Sequence, residues 1–131
     1  MIGLDTNVVV RYLTRDDPTQ FAAAVRFVRS LSSDSPGFLS LVVIVETVWV
    51  LEESYSFKKN QIEEVLEALL RSKELVIERA ELVSQALGKF RTSRADFADC
   101  LMGGCAQAAG CVNTATFDRN AASSLGMHLI R

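Results

Sequence analysis

Acidic side chains stand where apolar runs of this chain end. Ile2-Gly3-Leu4 runs into Asp5, Glu46 interrupts the apolar stretch Leu41 to Leu51, Asp96 and Asp99 open an Ala/Gly-rich segment, and Asp118 closes the run after Cys111-Val112. A carboxylate beside a buried segment is costly unless it is paired, protonated or bound to a cation. Crowded carboxylates raise one another's pKa unless a cation intervenes. Several of them, drawn from distant parts of one chain, point to a hard divalent cation; magnesium suits oxygen ligands and keeps several waters. Such an ion acidifies water and polarises a phosphoryl oxygen, and two of them clamp the attacking and leaving oxygens of an in-line displacement.

Each position has a plainer reading beside that one. Asp5 is either a ligand or the cap of a helix that follows a strand. Thr6 and Asn7 either donate hydrogen bonds to neighbouring carboxylates or supply ordinary first-turn polarity. Glu46, set among Val42, Val43, Trp49 and Val50, either faces a cleft or escapes to the helix surface, whereas Glu52 and Glu53 are the solvated end of the same helix. Asp96 and Asp99 share a helix face; Asp96 is a natural N-cap, and Asp99 lies in a first turn, where the helix dipole favours anions. Asp118 is a ligand or a cap for Arg119 to Leu125.

Basic residues flank these positions. Arg11 and Arg15 follow Asp5, Lys89-Phe90-Arg91 and Arg94 precede Asp96, and Arg119 follows Asp118. Singly each reads as solvated charge. Together, beside the acidic positions, their forked guanidinium groups match a phosphate-bearing substrate.

Other chemistries fit worse. The only histidine, His128, reads as a partly exposed residue of the last strand, and there is no GxSxG elbow, Walker A loop or GxGxxG turn. Cys100, Cys105 and Cys111 are odd in number and lack CxxC spacing. They read as small core thiols in a reducing cytosol rather than a zinc site or a disulfide framework. With 131 residues, 49% hydrophobic and 23% charged, the chain fits one folded domain spanning 1–131. Its formal charge of -2 neither advertises nor excludes a nucleic-acid partner. No signal peptide or membrane span is expected, which places the protein in the cytoplasm.

The elements that must position the carboxylates follow from periodicity. Strands are expected at Ile2–Leu4, Phe38-Leu39, Leu75–Ile77, Cys111–Asn113 and Met127–Ile130. Helices are expected at Thr6–Leu13, from Pro18 onward on Phe21, Ala24, Val25, Val28 and Leu31, from the Ser40 cap to about Tyr55, and at Asn60–Arg71, Glu81–Phe90 and Asp96–Ala109. The Ser40–Tyr55 helix reads as buried and apolar nearly all round. Gly103 and Gly104 would let the Asp96–Ala109 helix approach a sheet closely. Alternating strands and helices imply a mainly parallel sheet of about five strands, covered on both faces, with ligands at the C-terminal strand ends. Asp5 would stand at one such end and Asp118 just beyond another.

On these residues the chain resembles a PIN domain, and more narrowly a VapC-type toxin of a VapBC toxin–antitoxin module. Gly3-Leu4-Asp5-Thr6-Asn7-Val8-Val9 is similar to the opening strand and catalytic Asp, and Glu46 in Val43-Ile44-Val45-Glu46-Thr47 to the helical Glu. Ala95-Asp96-Phe97-Ala98-Asp99-Cys100-Leu101-Met102 resembles the third motif and Thr114-Ala115-Thr116-Phe117-Asp118 the fourth. The resemblance implies an α/β/α sandwich and a Mg²⁺- or Mn²⁺-dependent endoribonuclease with Asp5, Glu46, Asp99 and Asp118 as its acidic quartet. Asp96 would be an accessory ligand or a cap, and Thr6, Asn7 and Thr116 would support the quartet. It further implies an RNA substrate, a VapB-type antitoxin that inserts into the active-site groove, and a homodimer. Phe21, Phe27, Trp49, Tyr55 and Phe57 would be core or would supply such a partner surface. The competing readings are a non-catalytic PIN scaffold that binds RNA or protein, and a receiver-like phosphoacceptor; the latter lacks its lysine in Gly126 to Arg131.

Overall fold

The computed structural model describes residues 1–131, which form two compact units, Met1–Glu78 and Arg79–Arg131. The first contains β1 (Ile2–Gly3), α1 (Thr6–Leu13), α2 (Pro18–Arg29), β2 (Gly37–Leu39), α3 (Leu41–Tyr55), α4 (Lys59–Arg71) and β3 (Leu75–Ile77). The second contains α5 (Ala80–Thr92), α6 (Phe97–Ala108), β4 (Ala115–Thr116), α7 (Arg119–Leu125) and β5 (His128–Leu129). All five strands pair in parallel, as expected. Their ladders form a three-stranded set in order β1-β2-β3 and a two-stranded set, β4-β5. No helix is long and apolar enough to cross a membrane.

In the first unit β2 is the central strand, with Phe38 opposite Gly3 on one side and Val76 on the other. Gly37 is required there by space, since a Cβ would lie 2.6 Å from Leu4 Cδ1, 3.0 Å from Leu31 Cδ1 and 3.2 Å from Leu75 Cδ2. The fully buried Leu39, Ile44, Leu51, Ile62 and Leu66 make the core beside this strand. The Asp17 side chain caps α2 at the Gln20 N–H, 3.0 Å away, and Pro18 occupies the first turn, where its missing N–H costs nothing. Ser40 caps α3 by accepting the Val43 N–H at 3.2 Å.

Helix α3 departs from the expectation of burial on every side. Ile44, Thr47, Val48 and Leu51 are buried, whereas Val42, Glu46, Trp49 and Glu53 are exposed. These two sets lie on opposite faces, at i, i+3, i+4, i+7 and at i, i+4, i+7, i+11. Hydropathy alone could not separate them, because both faces carry large apolar residues.

In the second unit α5 packs Leu82, Val83, Ala86, Leu87 and Phe90 inward, and α6 packs Phe97, Cys100 and Leu101. The Phe90 and Phe97 rings meet edge to face, with centroids 6.1 Å apart. Gly103 fits the expected close approach, because a Cβ there would lie 3.2 Å from Met127 Cε, next to β5; Gly104 has open space instead.

The strand expected at Cys111–Asn113 is not formed; the fourth strand is Ala115–Thr116. Gly110, at φ +96°, ends α6 in a Schellman turn, in which the Cys111 N–H bonds the Ala106 carbonyl at 3.0 Å and the Gly110 N–H bonds that of Gln107 at 3.0 Å. The Cys111 N–H is thereby returned to the helix and is unavailable to a ladder. Cys111 is exposed and Cys105 half-buried, so only Cys100 is the buried core thiol expected of all three. Burial pushes the Cys100 thiol above its ordinary pKa, which keeps it protonated and inert.

Candidate active site

Within the first unit the site is built on the start of α1 and the middle of α3. Asp5 follows β1 in extended conformation, and its Oδ1 accepts the Val8 N–H at 3.2 Å. The capping role is therefore realised, and it uses one carboxylate oxygen. One residue on, the Thr6 hydroxyl donates to Glu46 Oε1 and joins α1 to α3. Asn7 makes no bond to either carboxylate; it lines a largely apolar groove of about 440 Å³ with Ile2, Leu4, Val8 and Phe27.

Within the second unit the charges of two carboxylates, Asp96 and Asp118, bear on a third, Asp99. Asp99 lies half-buried in the first turn of α6, and its carboxyl is held above the ordinary Asp range, first by burial and then by the negative charges of Asp96 and Asp118. Asp96 occupies the N-cap position, and its carbonyl accepts the Cys100 N–H at 3.1 Å, but its side chain makes no capping bond. Its charge is thus free to face Asp99. Asp118 does cap α7, with Oδ1 accepting the N–H groups of Asn120 at 2.8 Å and Ala121 at 3.0 Å. Thr116 supports it through the backbone, its Oγ1 accepting the Asp118 N–H at 2.9 Å.

Asn120 escaped the reading of the sequence. Its Nδ2 donates to the Arg94 carbonyl at 2.9 Å, and its Oδ1 accepts the Ser124 hydroxyl at 3.2 Å. The loop that leads into α6 is thereby pinned to α7, the helix capped by Asp118. The Asp118-Arg119-Asn120 spacing was the available signal: an amide two residues past a cap points back along the chain.

The arginines differ in their surroundings. Arg11 is committed: Nε donates to Gln20 Oε1 at 2.6 Å, and Nη1 donates to Asp16 Oδ1 at 3.2 Å and to the Tyr55 hydroxyl at 3.0 Å. Tyr55 in turn donates to Asp16 Oδ2 at 2.8 Å, and that bond is the largest influence holding the Asp16 carboxyl below its usual range. This network joins α1, α2 and α3, so Arg11 serves the scaffold. Arg15 lies over the Phe21 ring at 5.0 Å, a cation–π contact. Arg91, Arg94 and Arg119 are exposed in the second unit.

The donors suit a hard divalent cation, because the acidic positions offer only carboxylate oxygens and no thiol or imidazole stands among them. Asp99, raised first by burial and then by the charges of Asp96 and Asp118, is the acidic position whose ionisation the fold disfavours. In neither unit do three or more His, Cys, Asp or Glu side chains converge on a common ligation point. Magnesium or manganese fits the donor type.

Comparison with known proteins gives the family. The chain is 26% identical over 117 residues to a protein of Aquifex aeolicus called VapC ribonuclease, covering 88% of this chain and 86% of the relative. Among solved structures it is similar to Mycobacterium tuberculosis VapC20, described as a sarcin–ricin loop cleaving toxin. That match has 20% identity and a TM-score of 0.44, and covers 100% of this chain and 99% of the other. The PIN domain family profile matches residues 2–123, which is most of the chain, and the protein belongs to the PIN domain family.

Proposed function

We infer that this PIN domain is a metal-dependent endoribonuclease, the toxin of a toxin–antitoxin pair, which hydrolyses RNA phosphodiester bonds. Family membership and the ribonuclease relative support the reaction class. The observation that carries the reading is the family match over residues 2–123, within which Asp5, Glu46, Asp99 and Asp118 stand in motif order. Asp5, Glu46, Asp99 and Asp118 would hold Mg²⁺ or Mn²⁺, with Asp96 as an accessory ligand. A bound divalent cation supplies acidified water and neutralises charge that develops on the phosphoryl group.

The protein's own groups prepare that chemistry. Thr6 fixes the rotamer of Glu46 by donating to it. Thr116 fixes the backbone from which Asp118 projects, and Asn120 holds the loop that carries Arg94 and Asp96. Arg15, Arg91, Arg94 and Arg119 would contact RNA phosphates, because their forks match the phosphate oxygens and make charge-assisted hydrogen bonds. Arg11 contributes by holding α1 in place. The cognate partner would be a VapB-type antitoxin, the working form a homodimer, and the compartment the cytoplasm.

The test is a cleavage assay of the antitoxin-free protein on structured and single-stranded RNAs with Mg²⁺, Mn²⁺ or EDTA, with Asp5→Asn and Asp99→Asn in parallel. Cleavage that needs the cation and is lost in both variants is the expected result. RNA binding by a folded protein that cleaves nothing across the panel would favour a non-catalytic scaffold.

A further inference from the structure

The Glu46 face of α3 carries the chain's only tryptophan, and that residue is 61% exposed. Phe21, Phe27, Tyr55 and Phe57 are all at least partly covered. Tyr12 is also exposed, at 39%, so Trp49 is the most exposed aromatic side chain of the first unit, against the strong tendency of indole to be covered. It stands three residues after Glu46, so the two side chains are surface neighbours on the same helix face. Glu46 itself accepts the Thr6 hydroxyl. An exposed indole thus adjoins the carboxylate that the proposed nuclease uses.

We propose that Trp49 is a substrate-positioning residue, on which one unpaired nucleobase of the RNA stacks while the neighbouring phosphate lies toward Glu46. This deepens the nuclease reading and rests on it. Base stacking on an aromatic ring needs no sequence-specific hydrogen bond, and a single-stranded or loop nucleotide offers its π-face freely. A protein helix laid over the same face fits less well. Val42 and Trp49 are exposed on either side of Glu46, so such a helix would have to desolvate a carboxylate together with them. A single base covers the indole and leaves Glu46 open.

The lone tryptophan makes the test direct, since all indole emission comes from position 49. A fluorescein-labelled hairpin RNA with a single-stranded loop is followed by anisotropy. Indole emission is read in parallel with the unlabelled hairpin, using the Asp99→Asn protein so that the RNA stays whole. Cleavage constants of wild type, Trp49→Phe and Trp49→Ala are measured on an RNA that the wild type cuts. Stacking predicts saturable quenching that tracks anisotropy, a KM or Kd raised about 5- to 100-fold in Trp49→Ala, and recovery of most of that loss in Trp49→Phe. Anisotropy that rises without quenching overturns the proposal, as does Trp49→Ala with unchanged constants. Emission that instead shifts with protein concentration would assign Trp49 to contact between copies and would also overturn it. Failure of the wild type to cut any RNA would sink the nuclease reading, while the anisotropy and quenching still decide whether Trp49 meets a base.

Discussion

The Thr6 hydroxyl donates to the Glu46 carboxylate across forty positions of sequence, and by this bond the first turn of α1 fixes an acidic side chain in the middle of α3. Glu46 is exposed, so without that donor its long side chain would sample several rotamers. The bond holds it at the start of the helix that Asp5 caps.

From this relationship, Thr6→Val removes the donor and keeps the shape. Cleavage by the variant should fall about tenfold or more, the usual scale for losing a group that orients a ligand. Thr6→Ser should keep most activity. Steady-state kinetics with a thermal melt decide the matter: activity that stays at the wild-type level in Thr6→Val would show that Glu46 needs no support.

Asp118 has two roles that substitution can separate. It accepts the Asn120 and Ala121 N–H groups, so Asp118→Ala should destabilise the protein by about 1 kcal/mol through loss of the cap. Asparagine caps as well as aspartate, so Asp118→Asn should melt close to wild type and yet lose RNA cleavage. Denaturant titration and cleavage rates of both variants check this, and an active Asp118→Asn would remove the residue from the chemistry.

Asp99 makes stability depend on pH with a definite sign. Its folded pKa is raised, so the folded state keeps a proton that the unfolded chain releases, and stability falls as pH rises from the ordinary carboxylate range through the raised value. Asp99→Asn cannot ionise. In EDTA its Tm should match wild type near pH 3 and exceed it at neutral pH. Mg²⁺ should narrow the gap by stabilising the wild type. Equal melting temperatures across the whole range would mean that the three carboxylates do not strain the fold.

Gly37 is a packing requirement. In Gly37→Ala the new methyl meets the ends of Leu4, Leu31 and Leu75 together, within 3.2 Å of each. Overpacking of this kind costs about 1–3 kcal/mol, which a denaturant midpoint will register.

Local pattern was enough for most of the elements. Thr6–Leu13 and Leu75–Ile77 form with the expected bounds, Ser40 caps its helix and Pro18 opens another, because these are decided by side chains within a turn of the backbone they affect. The family was legible too, since four short acidic motifs in order need only residue type and spacing. The tertiary structure decided what depends on partners far away in sequence. It gave Glu46 its donor in Thr6, drew Arg11 into the Asp16–Tyr55 network, and left the side chain of Asp96 out of capping. It also turned Trp49 outward, on a helix whose hydropathy is high on both faces, and spent the Cys111 N–H on a helix end in place of a strand. Periodicity says which residues share a face. Which face is covered, and which donor a carboxylate meets, is settled only when separate elements pack, because burial and hydrogen bonding are properties of neighbours that the one-dimensional pattern does not contain.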